Sequence, residues 1–341
     1  MIICRHRAKS HEFCASSLKP YALCSMPLAL SPKLIMDTAH LIFHIRTARS
    51  KASEAASLEA LCLLGDLGAV APSGGPLSEK GQVFWVDLPA RELDQARDRL
   101  PRLGYTTSVD LLEPAQAGSL SNKEMVRWRR RYYSLVRIYE EDPEDARERA
   151  PDRRKFMLET NNGEVRLVKG YRGDGGLLSR RGLPTYDACL LVNLVFTTSE
   201  GRTLLDPFAG VGGIVLEALE SGYRVVSCDI DPGLIHGLSH IGAFHHVADA
   251  RHLPFHAETM DAIATEPPYD MQTGDLVSDA LAEMHRTLKT GGRIAMMCAD
   301  WQAEKLRQTA DSLGLEDMLN LPIDRKGVDC VVLAWQKPEN D

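Results

Sequence analysis

One stretch near the middle of the chain, residues 204–218, most constrains what this sequence can fold into. Its apolar start, glycine-rich middle and apolar continuation predict a buried strand, a tight turn and the first turns of a helix. Gly210, Gly212 and Gly213 allow positive φ angles and leave no Cβ between the backbone and a ligand. The pattern is typical of the first strand–turn–helix unit of a doubly wound α/β fold, whose helix directs free N–H groups at a ligand over the turn.

The turn itself departs from the common phosphate-binding turns. It matches neither the dinucleotide pattern GxGxxG nor the pattern GxxxxGK[ST]. Asp206 begins the turn at a point where a phosphate-binding loop would avoid negative charge. A carboxylate at this position favours a cationic or hydroxylated ligand over a pyrophosphate.

Acidic residues also end the next predicted strands. Residues 223–231 are predicted as a second strand that ends in acids, and Asp229 follows Asp206 by 23 residues. A ribose-binding carboxylate follows the first strand of such a unit at about this distance. Residues 247–251 are predicted as a short third strand that contains Asp249.

The fourth predicted strand, residues 261–269, ends in the sequence Glu-Pro-Pro-Tyr, where two prolines stop the strand. Taken in order, Asp-Pro-Phe-Ala-Gly-x-Gly-Gly, Asp-Ile-Asp, Ala-Asp-Ala and Pro-Pro-Tyr resemble the class I S-adenosylmethionine-dependent methyltransferases that modify exocyclic amino groups of bases. Within that class the chain is similar to the RNA guanine-N2 group. This group includes the tRNA guanosine methyltransferases of archaea and eukaryotes and a methyltransferase domain of bacterial large-subunit rRNA enzymes. The resemblance covers residues 180–341.

The resemblance implies S-adenosyl-L-methionine as the cofactor. Asp206 would lie by the amino group of the methionine moiety, Asp229 would accept hydrogen bonds from the ribose hydroxyls, and Asp249 would bind the adenine amino group. A proline-bearing segment before the preceding helix would close over the methionine end. The cofactor-binding residues implied are Pro184, Thr185, Asp206, Phe208, Ala209, Gly210, Gly212, Gly213, Asp229, Ile230, Asp249 and Ala250.

The resemblance places the reaction at Glu266, Pro267, Pro268 and Tyr269. Glu266 and the Pro267 carbonyl would accept hydrogen bonds from a base amino group, and Tyr269 would offer a ring on which the extruded base stacks. The family usually has Asp, and elsewhere Asn or Ser, at the position of Glu266, so the carboxylate here stands on one more methylene. Without the upstream motifs, the same four residues would equally describe a strand ended by prolines.

A basic and aromatic region precedes the glycine turn. Residues 121–190 hold 16 Lys and Arg against 12 Asp and Glu, although the whole chain has a net charge of −7. Arginine and lysine neutralise phosphates and aromatic faces stack on bases, so this region predicts RNA contact, with a solvated strand face as the alternative. The predicted RNA-binding residues are Arg129, Arg130, Arg131, Arg153, Arg154, Lys155, Arg180 and Arg181.

The resemblance implies an α/β class I methyltransferase fold with a Rossmann-like, doubly wound, seven-stranded sheet, which here follows a smaller domain. Strands near 41–45, 68–71, 83–86 and 105–112, with helices at 53–64 and 91–100, give the order βαββαβ of a ferredoxin-like domain. Ser53 is a candidate N-cap. The predicted regions are a disordered extension at 1–36, the ferredoxin-like domain at 37–118, a connecting region at 119–178 and the methyltransferase domain at 179–341.

Composition bears on membrane insertion, on the state of the cysteines and on metal binding. No apolar run approaches the roughly 18 residues of a membrane span, and the eight scattered cysteines are typical of a reduced, cytoplasmic protein. Six of the eleven histidines lie between residues 236 and 256 without paired cysteines, and Cys4, Cys14 and Cys24 form no CxxC pair. We therefore predict no metal site. The sequence does not indicate an oligomeric state.

Three functions compete at this stage. The first is an RNA methyltransferase that acts on an exocyclic base amino group, with guanosine-N2 of tRNA or rRNA favoured by the resemblance. The second is a DNA adenine-N6 or small-molecule amine methyltransferase with the same cofactor pocket. The third is a non-catalytic RNA-binding protein that retains the fold.

Overall fold

The computed structural model describes residues 38–46, 49, 52–71, 83–112, 132–137, 155–159, 165–169, 183–198, 201–234, 238, 243–325 and 328–339. Residues 36–341 form one compact unit. The extension predicted at residues 1–36 lies outside the described residues. No helix in the described ranges is long and apolar enough to cross a membrane.

Thirteen strands and six α-helices are described, apart from short 3-10 turns. The strands are β1 (Thr38–Ile45), β2 (Val83–Pro89), β3 (Thr106–Leu112), β4 (Tyr132–Arg137), β5 (Lys155–Glu159), β6 (Val165–Lys169), β7 (Thr203–Asp206), β8 (Arg224–Asp229), β9 (Phe244–Val247), β10 (Met260–Thr265), β11 (Leu288–Ala299), β12 (Glu316–Arg325) and β13 (Val328–Gln336). The helices are α1 (Ser53–Leu64), α2 (Leu93–Arg99), α3 (Thr185–Leu194), α4 (Gly213–Glu220), α5 (Gly274–Thr287) and α6 (Asp300–Ser312).

The C-terminal half forms a seven-stranded sheet with the order β9-β8-β7-β10-β11-β13-β12. Neighbouring strands from β9 to β11 run parallel, and β13 runs antiparallel to both β11 and β12. The strand order reverses between β7 and β10, which pair side by side through Leu205 and Ile263. In an open sheet of this kind, ligands bind at the carboxyl ends of the strands beside that point. The predicted seven-stranded, doubly wound sheet is confirmed.

The central strands of this sheet bury apolar side chains on both faces. Leu204 belongs to a core cluster that includes residues of α3 and α4, whereas the adjacent Leu205 belongs to a second cluster with residues of α5 and α6. Trp335 on β13 is fully buried in the second cluster. Burial on both faces explains why these strands are continuous apolar runs and do not alternate with polar residues.

The N-terminal half forms an antiparallel sheet with the order β2-β1-β3-β4. Two expectations change here. The strand predicted at residues 68–71 is a single bridge between Val70 and Asp87, and the N-cap of α1 is Ala52 because Ser53 already lies inside the helix. Since β4 pairs with β3, part of the predicted connecting region extends this sheet. The ferredoxin-like domain and the domain boundaries stay predictions.

The third strand of the large sheet begins earlier than predicted. It spans Phe244–Val247, so Asp249 lies in the loop that follows it and does not lie within a strand. His245 pairs with Ser227 of β8, and His246 packs its ring against Phe255. The two histidines lie within this strand, and because they are polar, the strand does not show the apolar pattern by which strands are predicted.

Candidate active site

The turn after β7 has the backbone that its glycines predict. Gly210 and Gly212 lie at φ angles of 48° and 82°, in the left-handed region that favours glycine. The Ala209 amide donates to the Cys228 carbonyl at 2.8 Å, and the Gly210 amide donates to Asp229 Oδ2 at 2.8 Å. Phe208 is partly buried, and Gly213 begins α4. The turn is therefore fixed to the end of the neighbouring strand β8.

Asp206 is a buried acid at the carboxyl end of β7, with only 1% of its surface exposed. Its Oδ1 accepts hydrogen bonds from the Thr265 hydroxyl at 2.8 Å and from the Phe208 amide at 3.2 Å. Burial raises the pKa of Asp206 to about 7, although both hydrogen bonds lower it. No donor to Oδ2 is found among the described residues. A buried carboxyl with an oxygen available in this way fits a cationic group such as the ammonium of a methionine moiety.

Asp229 ends β8 and joins two loops through its carboxylate. Oδ2 accepts from the Gly210 amide, and Oδ1 accepts from the Asp231 amide at 3.0 Å. Each carboxylate oxygen offers two acceptor directions, so Asp229 retains capacity for ribose hydroxyls. The next side chain, Ile230, is 69% exposed at the same end of the sheet, where an apolar ligand surface would cover it.

Asp249 is positioned differently from the other acids, because it pairs with a side chain of its own loop. Its oxygens accept from Nε of Arg251 at 3.0 and 3.1 Å and from a terminal nitrogen at 2.6 Å. The hydrogen bonds from Arg251 lower the pKa of Asp249. Both side chains are partly exposed, and the neighbouring Ala250 is buried. The carboxylate therefore stays ionised, and both of its oxygens already accept hydrogen bonds from Arg251.

The segment before α3 also lies in the described part of the chain. Pro184 is the N-cap residue, and its carbonyl accepts from the amides of Asp187 and Ala188 at 3.0 Å. Thr185 begins the helix. The Pro184 carbonyl thus binds this segment to the first turn of α3.

Glu266 and Tyr269 contact each other directly in the loop after β10. The Tyr269 hydroxyl donates to Glu266 Oε1 at 2.5 Å, and both side chains are partly buried. A donor at this distance fixes the direction of the carboxylate. Sequence reasoning assigned the Tyr269 ring to stacking but missed this role of its hydroxyl.

Two further polar side chains, which the sequence analysis missed, hold the same loop. Gln302 at the start of α6 is buried, and its Nε2 donates to the Pro268 carbonyl at 2.9 Å. Its Oε1 accepts from the Ala299 amide, so one side chain caps the helix and anchors the loop. Thr265 joins the loop to Asp206. A polar residue at the third position of a helix is a sequence signal for a cap. The contact of Gln302 with Pro268, 34 residues away, has no such signal.

The predicted RNA-binding residues lie almost entirely outside the described residues. Only Lys155 is included, as the first residue of β5, which pairs with β6 in a two-stranded sheet. The backbone of β5 lies close to Pro232–Leu234, just beyond Asp229. His236 and His240 also lie outside the described residues, and the described residues include no group of side chains suited to hold a metal ion.

The strand order, the glycine turn and the acids at the strand ends define a class I S-adenosylmethionine-dependent methyltransferase domain. Residues 205–296 match a family model described as a methyltransferase domain, which confirms the expected class. S-adenosylmethionine is the cofactor of that class, and the residues around the turn fit it.

Comparison with curated proteins places the chain near particular members of the class. It is 39% identical over 110 residues to a tRNA (guanine(10)-N2)-dimethyltransferase of Methanothermobacter thermautotrophicus. The matched region is 28% of this chain and 32% of the relative. It is 33% identical over 153 residues to the enzyme of that name from Pyrococcus abyssi, covering 39% and 45%. A demethylmenaquinone methyltransferase of Thermobifida fusca is 33% identical over 103 residues, covering 28% and 43%. The chain spans less than half the length of each of these three relatives.

Proposed function

We propose that this chain is an S-adenosylmethionine-dependent RNA methyltransferase that acts on an exocyclic amino group of a base, most specifically guanosine-N2 in tRNA. One observation carries the proposal. Asp206 and the Glu266–Tyr269 loop end neighbouring parallel strands, and the Thr265 hydroxyl joins them. A cofactor acid and an acceptor carboxylate at adjacent strand ends would hold the methyl donor and an amino group side by side, which favours transfer between them. The partial similarity to tRNA guanine-N2 dimethyltransferases supports this substrate class.

The cofactor side of the reaction follows from the turn and the three acids. Asp206 would hold the ammonium of the methionine moiety, Asp229 the ribose hydroxyls, and Asp249 the adenine amino group. Ile230 offers an exposed apolar face beside Asp229. When bound, the cofactor supplies a methyl group on a cationic sulfonium, so no further activation of the methyl is needed. The residues have to fix its position and direction.

On the acceptor side, Glu266 and the Pro267 carbonyl would accept hydrogen bonds from the base amino group. This interaction strengthens as the nitrogen gains positive charge, which stabilises the transition state more than the bound substrate. The Tyr269 hydroxyl holds the Glu266 carboxylate in one direction, while Gln302 holds the Pro268 carbonyl. The base would have to leave its stack to reach this loop.

The RNA itself would contact the basic region, including Arg129–Arg131, Arg153–Lys155 and Arg180–Arg181. The backbone of β5, which belongs to this region, lies near the end of β8 and thus near the proposed cofactor site. A basic segment at this point would guide phosphates toward the reacting base.

The proposal is tested by incubating the protein with methyl-labelled S-adenosylmethionine and, in parallel, unmodified tRNA, rRNA, duplex DNA and small amines. We expect label in RNA only. The Asp229→Ala variant serves as the control, because loss of charged hydrogen bonds should weaken cofactor binding by at least ~1.5 kcal/mol. Label in DNA or in small amines alone would contradict the substrate class, and cofactor binding without transfer to any acceptor would favour a non-catalytic role.

A further inference from the structure

The N-terminal sheet contacts the methyltransferase domain through a buried ionic contact. Asp187 in the first turn of α3 is fully buried, and its carboxylate accepts from Arg49 at 2.8, 3.1 and 3.1 Å. The Tyr105 hydroxyl, just before β3, donates to the same carboxylate at 2.9 Å. Arg49 itself is 8% exposed. Removing one partner of such a pair would leave a buried charge uncompensated, so the contact resists separation.

The same first turn of α3 is held from a second direction. The guanidinium groups of Arg46 and Arg49 each lie 4.9 Å from the centre of the Tyr186 ring. Gly104 packs so tightly that a Cβ at this position would lie 2.1 Å from the Tyr186 carbonyl oxygen. Only glycine allows the loop before β3 to come this close to the helix.

A separate contact joins the sheet to the other end of α3. The Asn193 side chain donates to Glu59 Oε1 at 2.7 Å and to the Arg102 carbonyl at 2.9 Å. Glu59 is fully buried in α1 and also accepts from the amides of Gly104 and Tyr105. The N-terminal half therefore contacts α3 at two places that share the loop before β3, and only the first lies beside residues 183–185.

We propose that Arg49, Asp187 and Tyr105 are positioning residues for the segment Leu183–Thr185, so that the N-terminal sheet sets the shape of the cofactor site. The inference rests on the proposed function and on the family resemblance, which implies that this segment closes over the methionine end of S-adenosylmethionine. Asp187 lies two residues after Thr185, and its amide is bound to the Pro184 carbonyl. A shift of the carboxylate toward or away from Arg49 therefore moves the first turn, and Pro184 and Thr185 move with it.

The alternative is that the contact of Arg49 and Tyr105 with Asp187 only stabilises the packing of α3 against the N-terminal half of the chain. A purely structural role would lower the melting temperature without changing cofactor affinity in the folded protein. The contact of Asn193 with Glu59 provides a matched control, because it joins the same helix to the same sheet but is six residues further along α3 than Asp187. A positioning role predicts different results for the two contacts.

The test compares the full-length variants Tyr105→Phe, Asp187→Asn and Asn193→Leu with the wild type. Tyr105→Phe removes only a hydroxyl and keeps the packing, so it serves where Asp187→Asn does not fold. We expect the first two variants to raise the dissociation constant and the KM for S-adenosylmethionine by about tenfold, with kcat at saturation unchanged. We expect Asn193→Leu to lower the melting temperature and to leave the dissociation constant unchanged.

Amide hydrogen exchange gives a readout that does not depend on activity. The amides of Asp187 and Ala188 should exchange faster in Tyr105→Phe than in the wild type, and those of Asn193→Leu should not. Unchanged affinity and exchange in Tyr105→Phe would overturn the inference while leaving the proposed function intact. A wild-type protein that does not bind the cofactor would overturn both.

Discussion

At the scale of single residues, the proposed function makes cofactor binding depend on the charge state of Asp206. Burial, helped by the nearby carboxylates Asp229 and Glu266, raises the pKa of this acid to about 7. A protonated acid does not attract an ammonium group. Between pH about 6 and about 7.5 we therefore expect affinity for S-adenosylmethionine to rise with pH, before the cofactor's own amino group loses its proton near pH ~8.

Calorimetry across this pH range measures that dependence. Thr265→Val removes a hydrogen bond that lowers the pKa of Asp206, so the rise in affinity should move to higher pH. If affinity for S-adenosylmethionine does not change with pH in either the wild type or the variant, Asp206 does not bind the ammonium group of the cofactor.

In the proposed function, the pair formed by Glu266 and Tyr269 would govern the chemical step. We expect Glu266→Ala to reduce methyl transfer by roughly 10²-fold or more, because one group that stabilises the transition state is lost. Glu266→Gln should lose less, since it keeps one acceptor oxygen. Tyr269→Phe keeps the ring and loses the 2.5 Å hydrogen bond, so we expect about tenfold slower transfer. Single-turnover rates at saturating cofactor measure each effect.

Cofactor affinity is the control for these variants, and it should not change in any of them. Glu266→Asp decides the geometry, because the shorter side chain stands further from the Tyr269 hydroxyl. Retained activity would mean that the pocket accepts the residue usual in the family, and lost activity would mean that the loop is built around Glu. Wild-type transfer by Glu266→Ala would exclude the loop as the acceptor site.

At the scale of elements, Gln302 couples the start of α6 to the loop after β10. We expect Gln302→Leu to fold with a lower melting temperature, because a helix cap and a buried hydrogen bond are lost. We also expect kcat to fall by about tenfold with little change in cofactor affinity. Gln308→Leu is a matched control on the exposed face of the same helix, where the side chain donates a hydrogen bond to Glu304. Equal rates in both variants would show that the cap does not position the loop.

Elements could be predicted from the sequence where the local residue pattern and the burial of the element in the fold favour the same conformation. The glycine turn after β7 and the prolines after β10 allow few other conformations, and the strands between them are apolar because both faces are buried. The strand β9 was misplaced because His245 and His246 break the apolar pattern, and the bridge at Val70 is too short to leave one. The contacts of Gln302, Arg49 and Tyr105 join residues distant in sequence, so no local pattern could reveal them.

At the scale of the whole molecule, two buried acids make folding depend on pH. Burial raises the pKa of Glu59 to about 7, as it does for Asp206, so the folded state holds protons that the unfolded state has released. This stability is complete below the ordinary pKa of a carboxyl, about 4, and is lost as pH rises through about 7. We therefore expect the free energy of unfolding of the cofactor-free protein to fall between pH 5 and pH 7.5, approximately.

Denaturant titrations at both pH values, with Glu59→Gln beside the wild type, measure this effect. His245 and His285, whose pKa values are lowered by burial, act in the opposite direction near pH ~6.5, and the variant separates their contribution. The pH dependence should be weaker in Glu59→Gln. If the free energy of unfolding changes equally with pH in the two proteins, the pKa of Glu59 is not raised in the folded state.

The identity of the methylated nucleoside tests the central claim most directly. Unmodified tRNA is incubated with the protein and S-adenosylmethionine, digested to nucleosides and analysed by chromatography and mass spectrometry, with Glu266→Ala as the control. We expect N2-methylguanosine or its dimethyl form with the wild type and at most a trace with the variant. A methyl group on any other atom of RNA, or equal product from the wild type and Glu266→Ala, would contradict the assignment of guanosine-N2 transfer to this site.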